Sequence, residues 1–297
     1  MVLPKRGKTE TPQEEEQPMS LFTLRERALA GSIVAGLMGA WTVLAVAQQK
    51  PTPPIFSWDL TVGWIGAGDF RPVPGRVPPV ASDPKYPFVP NGQGRQPTYR
   101  IADLTNPNLK PWVREVMKKD NDEVLAGKVA FTPSSSCMPA GVPGFLALAG
   151  NNNPVWFLQT PKQVSIIRDA DSQVRRVYLD VPHSPNPKPT WYGESVGHYE
   201  GDTLVIDTIG LNTKTFVDAY RTPHTEKLHV VERWRMVDDR QAMEVTFTVE
   251  DPDTYYEPWS GMRRYRRVQR QYIEEICAEN NQHLFDYKIP VADKAEF

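Results

Sequence analysis

From residue 155 to 268 hydrophobic and polar positions alternate in short runs, and the runs are separated by Gly, Asp, Asn and Pro. Short alternating runs rich in Val, Ile, Thr and aromatics, bounded by turn residues, are the signature of half-buried strands. The runs predict strands over 155–160, 163–168, 175–180, 194–199, 203–210, 228–237, 243–251 and 262–268. The step Glu200-Gly201-Asp202 is the clearest turn, because Gly supplies the positive φ of a tight hairpin and Asp tolerates it. No helical pattern long enough for a crossover separates the runs, so parallel pairing is excluded at this level and an antiparallel meander is expected. A meander of roughly eight strands must hide its edges, and closure into a calycin-like barrel does so. The expected fold is therefore mainly β, with a two-sheet β-sandwich as the alternative.

The residues ahead of the strands read differently. Between 48 and 97 prolines recur, from Pro51, Pro53 and Pro54 to Pro84, Pro87 and Pro90. Proline fixes φ and removes a donor, so the segment reads as an extended arm and not as a central strand or regular helix. Its Ile55, Phe56, Trp58, Leu60, Trp64 and Ile65 are too apolar for a free linker and predict packing on the main domain. One packing helix stands out, starting at Asn106-Pro107-Asn108 or Lys110-Pro111 and ending at Gly127. Within it Trp112, Val113, Val116, Met117, Val124 and Leu125 recur at helical spacing. Residues 131–153 read as loop.

The first residues carry an export pattern. Arg25 and Arg27 precede an uncharged apolar run, Ala28 to Leu44, and Ala45-Val46-Ala47 matches the small-x-small motif cut by a signal peptidase. Cleavage after Ala47 predicts a periplasmic or secreted product; an uncleaved inner-membrane anchor is the alternative, and Met19 is a second candidate start. The expected organisation is leader and signal peptide 1–47, arm, helix and loop 48–153, and barrel with C-terminal tail 154–297.

Composition narrows the partners. The net charge of -2 gives no basic footprint for a phosphate backbone, so nucleic acid is not an expected partner. The two cysteines, Cys137 and Cys277, are expected to form a disulfide in an oxidising compartment. Ser136, Met138 and Pro139 offer Cys137 no base or cation that would make it a nucleophile.

Alternation along the strand at 228–237 places Leu228, Val230, Glu232, Trp234 and Met236 on one face. Glu232 among apolar neighbours requires a partner or a raised pKa, so it is either an ion-paired structural residue, with Arg264 or Arg266 as candidate partners, or an acid/base group. Asp207 shares a face with Thr203, Val205 and Ile209, and which face points inward stays open. His224, with Glu226 or Asp218 as orienting carboxylates, is the candidate base on the link before that strand. His224, Glu226 and His229 do not share the helical face that a zinc motif uses, and no metal or other cofactor is expected. Gly193-Glu194-Ser195-Val196-Gly197 reads G-x-S-x-G, yet a strand, not a helix, follows Ser195, so a nucleophile elbow is not expected. The aromatics Trp191, Tyr199, Trp234, Tyr255 and Trp259, with Arg233, are candidate contacts for a small apolar or aromatic molecule.

Two blocks, Trp191-Tyr192-Gly193-Glu194-Ser195-Val196-Gly197-His198-Tyr199-Glu200-Gly201-Asp202-Thr203-Leu204-Val205-Ile206-Asp207-Thr208 and Pro223-His224-Thr225-Glu226-Lys227-Leu228-His229-Val230-Val231-Glu232-Arg233, carry a resemblance. The chain resembles a family of exported bacterial proteins with W-x-G-x-S-V-G-x-W-E-G-D-T-L-V-V-E-T and P-H-S-E-x-L-H-V-T-E-R blocks, and departs from it at Tyr199 and Asp207. The resemblance implies an exported location and no particular reaction. Two functions follow as expectations: a periplasmic barrel that binds a small apolar or amphipathic ligand, or a cofactor-free lyase, isomerase or hydrolase using Glu232 or Asp207 with His224. An envelope interaction protein is a third.

Overall fold

The structure is a computed structural model that describes residues 52–57, 59–66, 69–88, 99–147, 154–168, 174–272, 274, 276 and 277. The leader, Trp58, the asparagine run at 151–153 and the tail beyond Cys277 lie outside the described residues. In chain order the elements are β1 (Val62–Gly66), β2 (Arg71–Pro72), α1 (Pro111–Leu125), the single turn α2 (Gly144–Ala147), β3 (Val155–Gln159), β4 (Gln163–Arg168), β5 (Val174–Leu179), β6 (Glu194–Glu200), β7 (Thr203–Ile209), β8 (His229–Val237), β9 (Ala242–Glu250) and β10 (Trp259–Gln269).

The strands close a nine-stranded ring in the order β1-β3-β4-β5-β6-β7-β8-β9-β10, with β10 returning to β1 and β2 lying outside it on β10. A closed ring leaves no unpaired edge, which is how a sheet this long avoids templating aggregation. The expected barrel with one packing helix is what forms, and the strand boundaries read from alternation agree to within a few residues.

Two expectations need correction. The arm was expected to hold no strand, yet Val62-Gly63-Trp64-Ile65-Gly66 is β1, buried along its length and paired with β10 from Val62↔Gln269 to Gly66↔Tyr265. It escapes the proline argument because those five residues contain no proline. Parallel pairing was also expected to be absent, but β5 and β6 run parallel over Val177↔Ser195, Tyr178↔Val196 and Leu179↔Gly197. The crossover is the loop holding Pro182, Pro185, Pro187 and Pro189, an extended return in place of a helix. These few pairs make β5–β6 a short seam in the wall.

Helix α1 starts with Pro111 in its first turn after Lys110, and Gly127 follows it at φ +82°, the left-handed geometry that glycine accepts without strain. Its buried face is Val113, Met117, Asn121 and Val124. Trp112, Val116 and Leu125, expected on that face, are exposed. Asn121 replaces them by bonding both backbone groups of Ala102, accepting from its N–H and donating to its carbonyl at 2.9 Å each. The cysteine pair is bonded, Cys137 to Cys277. No helix among the described residues is long and apolar enough to cross a membrane.

Candidate functional site

The inward face of β8 carries Val230, Glu232 and Trp234, and the register pairs Ile206 with Glu232. Glu232 is fully buried, so its carboxylate requires compensation. Arg175, also fully buried, supplies it from the inward face of β5, with Nη1 3.1 Å and Nη2 2.5 Å from the two carboxylate oxygens. The same guanidinium donates to Ser195 Oγ at 3.2 Å and Thr208 Oγ1 at 2.8 Å, and those hydroxyls lie 2.9 Å apart. Arg175 thus ties β5, β6, β7 and β8 together across the short parallel seam. Neither Arg264 nor Arg266 is the partner: Arg264 pairs outside the barrel with Glu244 and Asp238, and Arg266 faces outward. Ser195 is a buried acceptor in this network, with strand on both sides of it.

Asp207 belongs to the outer face, because Leu204, Ile206 and Thr208 take the inward positions of β7. Strand register gathers Glu194 on β6, Asp207 on β7, and His229 facing Glu250 across β8 and β9 into one stripe of same-face neighbours. The loop after β5 adds His183. His183 Nε2 and His229 Nε2 each lie 3.0 Å from Asp207 Oδ1. The opposite nitrogen of His183 is 3.0 Å from Glu194 Oε1, and that of His229 is 3.7 Å from Glu250 Oε2. Carboxylate and imidazole therefore alternate along the outer wall. The hydrogen bond to His229 holds the Asp207 carboxyl below its ordinary range, and the same bond raises the His229 imidazole. Bonds from the Ser184 hydroxyl and N–H, at 2.5 and 2.6 Å, are the main reason Glu194 also lies low. Among the described residues no group of three or more His, Cys, Asp or Glu is arranged to hold a metal ion.

His224, Asp207 and Glu232 do not converge. His224 is buried within the link, with Thr215 Oγ1 at 2.8 Å from Nε2 and the Thr225 carbonyl at 2.9 Å from Nδ1, and burial lowers its pKa. Asp218 accepts from the N–H groups of Tyr220 and Thr222 and from the Thr222 hydroxyl, shaping the link, while burial pushes its pKa up to about 6. Glu226 is exposed, and Arg233 pairs with Glu200 on the outer face at 2.5 Å. Trp234, Tyr255 and Trp259 are core aromatics: Trp234 lies 5.2 Å from the ring of Phe157, and Trp259 is 6.0 Å from Tyr255 and 5.7 Å from Phe247.

The two remaining aromatics border open space. Tyr199 lines a cleft of about 600 Å³ where the arm residues Pro53, Pro54 and Ile55 lean on the barrel end formed by Gln159, Thr160, Leu179 and Gly201. Gln159 fixes the arm there: its Oε1 accepts from Phe56 N–H at 2.7 Å, and its Nε2 donates to the Pro54 carbonyl at 2.7 Å and to Tyr199 Oη at 2.8 Å. Trp191 lines a second cleft, of about 580 Å³, with Arg176, Tyr178, Lys188, Tyr192 and Glu194. The residues that sequence reasoning missed are Arg175 and Gln159; from the sequence His183 reads only as a further metal ligand should the fold gather the histidines, not as a partner of Asp207. Alternation marks Arg175 as inward once β5 is placed, whereas His183 lies in a loop and gives no periodic signal.

No family model matches the chain, and no curated protein matches it.

Proposed function

We propose that this protein is an exported β-barrel that binds a small, largely apolar molecule in the cleft between its proline arm and the barrel end. The observation that carries the reading is the cleft itself, about 600 Å³ and walled by Pro53, Pro54, Ile55, Pro161 and Leu179. That volume is in the range of small-molecule sites, which are mostly apolar with a few fixed polar groups. Tyr199 supplies a donor beside the other polar lining residues Thr52, Gln159, Thr160 and Asp180: its oxygen accepts from Gln159, which leaves its own proton to donate, and burial raises its pKa so that the phenol stays protonated. A ligand with an apolar body and an acceptor for the Tyr199 hydroxyl matches this lining. The Cys137–Cys277 disulfide supports export, because such bonds persist in oxidising compartments.

The test is fluorescence titration of the purified mature chain with N-phenyl-1-naphthylamine. Saturable binding is expected, weakened in Ile55→Glu, whose side chain is half exposed and therefore tolerates the change. Equal binding by Ile55→Glu, or a signal that never saturates, refutes the assignment.

A second reading, acid/base catalysis, is favoured by the His183–Asp207–His229 chain ending at Glu194 on the rim of the Trp191 cleft. Arg176 and Lys188 in that cleft suit an anionic aromatic substrate. Hydrolysis of p-nitrophenyl esters that falls in Asp207→Asn and His183→Gln without a change in melting temperature supports it. Rates equal to the parent in both variants remove it.

A further inference from the structure

The barrel interior holds more donors than acceptors. Arg168, Arg175 and Arg263 occupy inward strand positions against Glu232 as the inward carboxylate among the described strand residues. Arg175 is matched by Glu232, and Arg168 lies over the ring of Phe145 at 5.6 Å. Arg263 is different. It is 3% exposed, yet its Nε and Nη1 have no hydrogen-bond partner among the described residues. Trp234, with no exposure, has an indole N–H in the same condition. Both flank one ring: Arg263 Cζ is 5.6 Å from the Tyr265 centroid, and the Trp234 ring is 5.4 Å from it. Opposite them β1 carries Gly66, where a Cβ would stand 2.7 Å from Arg263 Nε, so the space the guanidinium uses depends on that glycine.

Buried donors are normally bonded, and an unpaired buried charge is among the costliest defects a fold can carry. Three donor nitrogens without an acceptor beside one ring are the complement of an acceptor-rich anion. We propose that the barrel interior beside Tyr265 binds a small carboxylate, with Arg263 as countercharge and the Trp234 indole N–H as a further donor. A single negative charge matches the Arg263 guanidinium, since Glu232 is already engaged by Arg175. A planar carboxylate also fits the planar donor array of arginine. The site lies inside the wall and is separate from the cleft at the arm.

The experiment uses the whole mature chain in a chloride-free sulfonate buffer, with sodium acetate and sodium benzoate as probes and sodium chloride as control. Melting temperature and tryptophan fluorescence should change saturably with a carboxylate and not with chloride at the same ionic strength. Arg263→Met should melt no lower than the unliganded parent, because it removes an unpaired buried charge, and should need at least about tenfold more acetate for the same response. Trp234→Phe should weaken the response while leaving it saturable. If Arg263→Met does not fold, ¹³C-acetate line broadening and transfer to the Tyr265 ring protons are measured on the parent instead. An equal response to chloride, a parent with no carboxylate response, an Arg263→Met variant that responds like the parent, or absence of transfer to Tyr265 overturns the proposal.

Discussion

Glu232→Gln keeps the shape of the side chain and removes its charge, which leaves Arg175 buried without a counter-ion. Both residues have no solvent exposure, and Arg175 donates to both Glu232 oxygens, at 3.1 and 2.5 Å. Removing one partner of such a pair costs about 3–5 kcal/mol, because the survivor cannot be resolvated. Ser195 and Thr208 soften the loss, since their hydroxyls still accept from the guanidinium at 3.2 and 2.8 Å. The expected value therefore lies near the lower end, about 3 kcal/mol. For a domain of this size each kcal/mol lowers the melting temperature by roughly 2–4 °C, giving a drop of roughly 6–12 °C. Urea unfolding of the parent, Glu232→Leu, Arg175→Met and the double variant Arg175→Met/Glu232→Leu measures the coupling directly, beside Glu232→Gln as the change of charge alone. The double variant should recover much of the loss, because replacing a buried pair by apolar groups of similar volume is often neutral. A Glu232→Gln protein within about 1 kcal/mol of the parent would show that the pair does not hold the seam, since a neutral amide there would then satisfy Arg175 as well as the carboxylate does.

Reducing the Cys137–Cys277 bond, which closes a separation of 140 residues, should cost about 5 kcal/mol by the chain-entropy relation, read as a lower urea midpoint in dithiothreitol. Between about pH 4 and pH 6 folded Asp218 keeps a proton that the unfolded chain releases, so stability should fall by about 3 kcal/mol across this window and level off above it. Asp218→Asn should flatten that slope, and an unchanged slope would assign it to other groups. Gln159→Ala removes two bonds that hold the arm, so protease cutting near Pro54 should accelerate while the barrel's melting temperature changes little; equal cutting rates would show that the arm is held elsewhere.

The strands from 155 onward were legible because alternation, turn residues and β propensity agree along each of them, and β8 shows its inward face outright through Val230, Glu232 and Trp234. Strand β1 was not, because its five residues are all buried and show no period of two. On β7 three consecutive residues, Leu204, Val205 and Ile206, are buried, so pattern alone left the direction of Asp207 undecided. That Glu232 needs a cation follows from burial energetics. That the cation is Arg175 does not, because β5 and β8 are not adjacent and no local rule relates their registers. The His183 contact depends likewise on the path of a proline loop, which periodicity does not encode.

Closure by β1 and β10 sets an order in time. Val62 pairs with Gln269, so the first strand of the ring to leave a ribosome or a translocation pore must wait for the last. Until then the edge of β1 that β10 covers stays open, and a chain emerging from its N-terminus meets a long interval in which its ring is an unfinished sheet. Contacts this distant in sequence slow folding, because loop closure must precede the reward. A holdase that recognises extended apolar segments would act in that interval, and Val62-Gly63-Trp64-Ile65-Gly66 is the segment left waiting longest.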